Sequence, residues 1–273
     1  MTKIGLIGAE NSHTHGFCES IAGGQKYPGF DITHVYGGDS PKACSVLVEK
    51  FGLTECASEE EIINICDAFI ITYRKGSMHY DAVMKVLKAG KPMFNDKPFT
   101  TELAKAVEIV EYAKKNNILI CGGSTIKNYS GLGKVKQKIK PGSTVVISFS
   151  ADPESPYDGF WFYGIHSVEA CIKLLGEDFK SVSAFRTGNN IVAAVGYGDK
   201  NCVITTSPDS DGMNISIINA GLAESFLVNA DPGVNTAADD LINMLTNNAL
   251  PLDNSFYVAA IKLMVEIMAS AGI

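Results

Sequence analysis

The chain has 273 residues, of which 46% are hydrophobic and 19% charged, and its formal net charge is −7. The length favours two domains, and the negative charge argues against nucleic acid or an anionic membrane as a partner. None of the seven cysteines forms a Cys-x-x-Cys pair, so we expect reduced thiols in a cytoplasmic protein.

Strands and helices alternate through the first part of the chain. Residues 3–8 form a short apolar run that ends in Gly8, which is typical of a buried parallel strand. Because this run lies so near the first residue, we expect no signal peptide, and no later apolar run approaches the ~20 residues of a membrane span. Further strands are predicted at 31–36, 67–72, 92–95 and 118–121, and helices at 11–22, 41–51, from 58, 78–89 and 101–116. The alternation predicts a Rossmann-type, doubly wound parallel sheet in residues 1–122.

The loops that follow these strands are expected to meet at one edge of the sheet. Right-handed crossovers place them there, and small ligands bind along this edge. The loops are 9–13, 37–40, 73–77 and 96–100.

The pattern changes after Gly122 and Gly123. Strands are predicted at 143–150, 181–187, 191–197, 201–207 and 214–218, with a possible further strand at 226–229. Helices are predicted at 129–140, 160–175, 236–246 and 254–269. Hairpin turns by composition separate several of the strands. Residues 123–273 are therefore predicted to form an α+β domain with a mostly antiparallel, open sheet.

The turn after the first strand is a candidate phosphate site, because a helix start presents free N–H groups to an anion. Of the glycines in the usual G-x-G-x-x-G fingerprint, only Gly8 is present. Glu10 stands at the second glycine position, where its carboxylate should repel a diphosphate unless it points away. Gly8 could instead mark only a tight turn. Asn11 and Ser12 are good N-cap residues for the helix.

The end of the second strand bears on the choice of cofactor. Asp39 lies close to the position at which an acid binds a free ribose 2′-hydroxyl. No arginine in that loop could hold a 2′-phosphate, which favours NAD, whereas Lys42 leaves NADP open. A metal site is not expected at His13 and His15, because their rings diverge at a helix start and no carboxylate has a matching spacing.

Two motifs resemble the Gfo/Idh/MocA family of oxidoreductases. Residues 67–98 read DAFIITYRKGSMHYDAVMKVLKAGKPMFNDKP and match the family's strand, loop, helix with an early His, and A-G-K-x-V-x-x-E-K-P. Asp96 replaces the family's Glu. Residues 164–169, GIHSVE, followed by LLG, resemble G-x-H-x-x-D…L-x-G, with Glu169 for Asp. The segment 10–13, ENSH, is similar to a D-T-S-H loop found in some members.

The resemblance implies hydride transfer between NAD or NADP and a sugar, polyol or similar small molecule, in a homodimer or homotetramer. It implies that Lys97 hydrogen-bonds the reacting oxygen and moves its proton, and that His166 is the general acid/base. Without the family resemblance, Lys97 would be interpreted as a solvated lysine and His166 as a core histidine. Expected cofactor-binding residues are Gly8, Asn11, Ser12, His13, Asp39, Thr72, Tyr73, His79 and Asp96. Expected substrate-lining residues are Phe162, Tyr163 and Glu169. His79 could equally serve the structure alone.

One departure leaves the function open. Many dehydrogenases of the family carry an Asp four residues before the catalytic His, and this chain has Phe162 there. Phe162 and Glu10 favour a dinucleotide- or metabolite-binding protein without turnover. A redox-neutral lyase or epimerase that keeps NAD tightly bound is a further alternative.

Overall fold

The computed structural model describes residues 1–129, 131–228 and 233–273. The chain divides into two compact units, the first made of Met1–Gly123 and Val234–Asn254, the second of Ser124–Gly233 and Ser255–Ile273. The expected division into residues 1–122 and 123–273 placed Val234–Asn254 in the second part, whereas this segment lies in the first unit.

The first unit contains a six-stranded parallel sheet. Its strands are β1 (Thr2–Ile7), β2 (Phe30–Tyr36), β3 (Thr54–Glu55), β4 (Ala68–Ile71), β5 (Met93–Asn95) and β6 (Ile120–Gly122). The helices are α1 (Ser12–Ile21), α2 (Pro41–Phe51), α3 (Glu59–Ile65), α4 (His79–Lys88) and α5 (Leu103–Lys115), with a 3₁₀ turn at Gly76–Met78. The strand order β3-β2-β1-β4-β5-β6 is that of a dinucleotide-binding fold.

Local sequence signals account for several of these boundaries. The Ser40 hydroxyl accepts a hydrogen bond from the Ala43 amide, and Pro41 occupies the first position of α2. Gly52 ends α2 with φ 70°, a left-handed conformation that favours glycine. Ser58 caps α3 in the same way, through the Glu61 amide. β3 was not predicted, because a two-residue strand is too short for a periodic pattern.

The second unit contains a mixed sheet. Its strands are β7 (Thr144–Phe149), β8 (Ser181–Thr187), β9 (Asn190–Gly196), β10 (Asn201–Thr206), β11 (Met213–Asn219) and β12 (Leu222–Val228). The order is β12-β11-β7-β10-β9-β8, in which β7 and β10 are parallel and the other pairs antiparallel. The possible strand at 226–229 is part of β12, except that residue 229 lies outside the described residues. The predicted fold class is confirmed.

The remaining helices are α6 (Leu132–Lys138), α7 (Trp161–Leu175), α8 (Gly233–Asn247) and α9 (Ser255–Ala271), and a 3₁₀ turn spans Thr125–Asn128. In the second unit, α9 is fixed to β8 by a hydrogen bond from the Ala184 amide to Ser270 Oγ of 2.7 Å. Within the described ranges, no helix has the length and apolar character needed to cross a membrane.

The position of α8 follows from its apolar stripe. Ala237 and Leu241 are completely buried in the same cluster as Phe17 of α1. The Tyr27 hydroxyl also donates a hydrogen bond of 2.6 Å to Asp239 Oδ1. Because this stripe completes the core of the first unit, the chain returns to that unit near its end.

All seven cysteines are buried and none of them forms a disulfide, as expected for reduced side chains. Burial raises the pKa of Cys18 to about 12 and that of Cys66 to about 11. Such thiols are poorly reactive at neutral pH, because the thiolate is the nucleophile.

Candidate functional site

The turn between β1 and α1 requires glycine at its first position. Gly8 has φ +102°, and a Cβ atom built there would lie 2.7 Å from the Tyr73 backbone nitrogen. The Gly8 amide donates to the Tyr36 carbonyl at 2.9 Å. The turn is therefore held tightly between the ends of β2 and β4, and its direction places the α1 N-terminus at the carboxyl edge of the sheet.

Carboxylates occupy part of this turn. Asp39 accepts hydrogen bonds from the amides of Ala9, at 2.8 Å, and Glu10, at 3.1 Å. The Glu10 carboxylate lies 3.8 Å from Arg74 Nη1, so its charge is compensated by a cation from the loop after β4. The amides of Ala9 and Glu10 are thus already used by Asp39, which orders the turn without the missing glycines.

The start of α1 offers a backbone amide as a hydrogen-bond donor. The Asn11 side chain caps the helix by accepting from the His13 amide at 3.1 Å, and the Thr14 amide donates to the Asn11 carbonyl. The first amides of a helix have no partner within it, which leaves the amide of the exposed Ser12 to meet an anion.

Asp96 connects the end of β5 to this helix start. Its side chain is fully buried, and its Oδ2 accepts from Asn11 Nδ2 at 3.0 Å and lies 2.9 Å from His13 Nδ1. Its Oδ1 is buried and has no hydrogen-bond partner in the part of the chain that the structure describes. Burial alone would raise the pKa of Asp96, but the charges of His13 and Lys97 and the His13 hydrogen bond outweigh it and hold the pKa at about 2.

The lowered pKa of Asp96 predicts a contribution of the ionised carboxylate to stability. Its pKa is lower in the folded chain, at about 2, than its ordinary value of 3.8, so the ionised form stabilises the fold above pH 4 and that contribution is lost as the pH falls towards 2. We expect Asp96→Asn to lower the unfolding free energy of the first unit at neutral pH by about 2 kcal/mol. Urea denaturation as a function of pH measures this. If the free energy of unfolding fell equally for wild type and variant between pH 4 and 2, the stabilising role of the Asp96 carboxylate would be contradicted.

Lys97 follows directly and is also buried, with 4% of its surface exposed. Its positive charge is close enough to lower the pKa of both Asp96 and His79. Lysine is almost never buried to this extent without a specific environment. The solvated-lysine interpretation is therefore wrong, and Lys97 directly follows a buried carboxylate that contacts the helix start.

Three of the expected cofactor-binding side chains are engaged within the first unit. The Thr72 hydroxyl donates to the Gly8 carbonyl at 3.2 Å and contacts Thr14 Oγ1 at 2.8 Å. The Tyr73 hydroxyl donates to Glu59 Oε1 at 2.5 Å. His79 is completely buried, its Nε2 donates to the Tyr73 carbonyl at 2.7 Å, and burial lowers its pKa. These three side chains hold the loop after β4 in place, which positions its backbone at the sheet edge.

The second unit has its own polar cluster, centred on α7. His166 is 5% exposed, and its Nδ1 lies 2.6 Å from Ser124 Oγ. Glu169, one turn further along α7, is 1% exposed and accepts from the Ser124 amide at 2.8 Å. Lys127 is also buried and donates from Nζ to the Ser124 carbonyl at 3.2 Å.

Aromatic rings surround His166. Phe149 of β7 lies 5.5 Å from the imidazole and Tyr163 lies 5.6 Å from it, measured between ring centroids. Phe162 packs between Tyr157 and Tyr163 at 4.9 and 4.6 Å. Tyr163 is 41% exposed, so this aromatic cluster presents part of its surface to solvent.

Sequence reasoning missed three residues of these clusters. Arg74 was not paired with Glu10, and neither Ser124 nor Lys127 was considered. A serine directly after a strand-ending Gly-Gly pair was a usable signal for Ser124, because serine caps the turn that follows. Lys127 carried no such signal, since its burial depends on the packing of α7.

The two histidines of the His13-x-His15 segment diverge. His13 faces Asp96, whereas His15 lies 3.4 Å from Glu19 and 2.9 Å from Lys50 Nζ on the helix surface. Among residues 1–129, 131–228 and 233–273, no group of three or more His, Cys, Asp or Glu side chains could hold a metal ion.

Comparison with known proteins agrees with this fold. Residues 2–123 match the family model described as "Oxidoreductase family, NAD-binding Rossmann fold". An uncharacterized oxidoreductase of Streptococcus pneumoniae is 20% identical over 216 residues, 73% of this chain and 58% of its own length. The chain spans 49% of a second relative, the oxidoreductase YhhX of Escherichia coli, to which it is 25% identical.

Solved structures extend the similarity to both units. The dehydrogenase WlbA of Bordetella pertussis, solved with NADH and UDP-GlcNAcA, superposes with a TM-score of 0.82 at 18% identity, over 100% of this chain and 97% of that one. GenD2 from gentamicin A biosynthesis, solved with NAD, has a TM-score of 0.83 at 12% identity, over 99% and 94%. Residues 2–123 are therefore similar to the NAD-binding Rossmann fold of this oxidoreductase family, and the solved structures share the fold of both units.

Proposed function

We propose that this protein is an NAD(P)-dependent dehydrogenase that acts on a sugar, a polyol or a similar small hydroxylated molecule. The observation that carries the proposal is the buried Lys97, which lies beside Asp96 while Asp96 contacts Asn11 and His13 at the start of α1. A charged residue is thereby fixed at the edge where this fold binds dinucleotides.

The residues of the first unit fit such a cofactor. The Ser12 amide and the helix dipole favour a phosphate, and Arg74 compensates the Glu10 carboxylate, which would otherwise oppose it. Gly8, Asn11, Ser12 and His13 would hold the diphosphate. The backbone after Thr72 and Tyr73, positioned by His79, would line the nicotinamide side. When bound, the nicotinamide ring supplies or accepts the hydride.

Asp39 supports NAD rather than NADP. Its carboxylate is held at the end of β2 by two amides, so it presents a fixed negative charge where the ribose hydroxyls lie in this fold. A 2′-phosphate at that position would be repelled. We expect NAD to bind more tightly than NADP in calorimetric titrations.

Lys97 is proposed to act on the reacting oxygen. Its ammonium group can donate a hydrogen bond to a carbonyl or hydroxyl and return or take up a proton there. The family resemblance assigns His166 of the second unit the role of general acid/base. Phe162 and Tyr163 offer ring faces for the apolar face of a sugar, whereas Glu169 is directed to the Ser124 amide.

The proposal is tested in two steps. NAD and NADP are titrated into the full chain by calorimetry, and the chain is then screened with NAD against polyols, sugars and nucleotide sugars for the absorbance of reduced nicotinamide. We expect binding of NAD and turnover of at least one hydroxylated compound. If NAD binds but no compound is turned over, and Lys97→Ala binds NAD as the wild type does, the metabolite-binding alternative is favoured. Substrate conversion without net reduction of added NAD points to a lyase or epimerase. Absence of binding would overturn the proposal.

A second copy of the chain is the proposed partner of the open sheet face. Paired positions on the six adjacent strands form one row of small or β-branched residues across this face. The row consists of Ser183, Ala194, Val203, Val146, Ser216 and Ser225. Leu227 and Phe185, on a neighbouring row, are 68% and 59% exposed. Flat faces with exposed apolar groups mark association sites. Sedimentation equilibrium is expected to give a dimer or tetramer.

We place the protein in the cytoplasm. Its seven cysteines are buried and form no disulfide, which suits a reducing compartment. Fractionation of expressing cells tests this placement.

A further inference from the structure

Every polar atom of Ser124 takes part in a hydrogen bond. It is completely buried, and its amide donates to Glu169 while its carbonyl accepts from Lys127 Nζ. Its hydroxyl oxygen accepts from the Ile126 amide at 3.2 Å and lies 2.6 Å from His166 Nδ1. Two contacts therefore hold the backbone of Ser124 and two hold its hydroxyl, so the imidazole meets a rigid partner.

The direction of the Ser124–His166 hydrogen bond follows from counting hydrogens. A hydroxyl has a single hydrogen, and the Ser124 oxygen already accepts from Ile126. Within the described residues, Nδ1 of His166 is the acceptor that this hydrogen can reach. Buried polar hydrogens are rarely left without an acceptor. The hydroxyl therefore donates to Nδ1, and a neutral imidazole that accepts at Nδ1 carries its own hydrogen on Nε2.

We propose that Ser124 is a positioning residue that holds His166 as the neutral Nε2–H tautomer. In that form His166 donates a hydrogen bond to the substrate oxygen and keeps its proton throughout the reaction. The inference rests on the proposed function for its substrate, but the tautomer itself is a property of the free chain.

The assignment changes the roles in hydride transfer. In the reducing direction, a hydride bonds to the carbonyl carbon, the π electrons of the C=O bond move to oxygen, and oxygen takes up one proton. A neutral imidazole that gave up its Nε2 hydrogen would become an anion, which is inaccessible near neutral pH. The proton must come from another group, for which the proposed function names Lys97. His166 then polarises the carbonyl as a neutral donor.

The surroundings of His166 support a fixed ring. Phe149 meets the imidazole edge-on at an interplanar angle of 85°, and Tyr163 lies on it at 41°. Because these rings restrict rotation, the Ser124 contact decides which nitrogen faces which partner.

The tautomer is measured directly. The full chain is labelled with ¹⁵N, and long-range proton–nitrogen spectra are recorded at mildly alkaline pH. The protein has five histidines, so His166 is assigned by comparison with His166→Gln. We expect the Nε2–H pattern for His166 in the wild type and a mixture of tautomers in Ser124→Ala. An Nδ1–H pattern in the wild type would overturn the proposal, as would an unchanged pattern in Ser124→Ala.

Two further variants separate positioning from packing. Ser167→Ala removes a buried hydroxyl from the next position of α7, where it has no hydrogen-bond partner among the described residues, and should leave the His166 pattern unchanged. Ser124→Thr restores the hydroxyl and should restore the tautomer. Melting curves of all variants confirm that they are folded.

Activity gives an independent readout once a substrate is found. We expect Ser124→Ala to lower kcat by about 10- to 100-fold, because the orienting donor is lost, with a smaller change in KM. Rescue by Ser124→Thr is expected. If the wild type turns over no substrate, the proposed function fails while the spectra still decide the role of Ser124. If turnover is found and Ser124→Ala retains full kcat, the positioning role is wrong.

Discussion

Lys97→Met is expected to abolish most of the turnover while the chain still binds NAD. Methionine keeps the length and the apolar stem of the side chain in a site that is 4% exposed, but it cannot donate a hydrogen bond or transfer a proton. We expect kcat to fall by about 10²- to 10⁴-fold, the range for loss of a general acid/base. Steady-state kinetics and calorimetric titration with NAD measure the two quantities separately.

Lys88→Met is the matched control for this variant. Lys88 ends α4 on the surface, is outside the site and should keep wild-type kinetics. If Lys97→Met matched this control, Lys97 would be a structural lysine that pairs with Asp96. If Lys97→Met lost NAD binding as well, its charge would serve the cofactor rather than the chemical step.

Gly122→Ala is expected to produce the largest loss of stability. A Cβ atom at this position would lie 1.8 Å from the Asn95 carbonyl oxygen, a distance that the backbone can relieve only by separating β6 from β5. We expect a cost of about 3 kcal/mol or more, as for severe overpacking. That corresponds to a Tm lower by about 10 °C for a protein of this size. Because β5 leads into Asp96 and Lys97, NAD binding should weaken as well.

Gly133→Ala is expected to leave the melting temperature unchanged or slightly higher. Gly133 lies in α6, and a Cβ atom there would have no neighbour within 4 Å. Alanine is favoured over glycine in a helix by about 1 kcal/mol, so the variant should melt at or slightly above the wild-type temperature. Thermal denaturation followed by circular dichroism compares the two variants. A Gly122→Ala protein that melted like Gly133→Ala would show that β6 is not packed against Asn95 as described.

Much of the fold was predictable because its signals are local. The spacing of apolar residues located the helices and strands, and short-range caps such as Ser40 and Ser58 fixed where α2 and α3 begin. Hairpin strands in the second unit followed from turn composition, and β8 has the predicted bounds. Hydrogen bonds between residues a few positions apart leave such marks in the sequence.

The site was predictable only in part. The motif around Lys97 indicated the residue, and the structure adds that it is buried. The partner of Asp96 was not predictable, because His13 lies 83 positions away in the chain. Ser124 was missed for the same reason, since its contact with His166 spans 42 positions.

By itself, the sequence determined the two kinds of sheet, the turn at Gly8 and the candidate residues Lys97 and His166. Only the tertiary structure decided that α8 returns to the first unit, that Asp39 takes the amides of the turn, and that Ser124 faces His166. The physical reason is range. Periodicity and capping act within one or two turns of chain, whereas these contacts depend on strand order and on which apolar stripes find each other during packing.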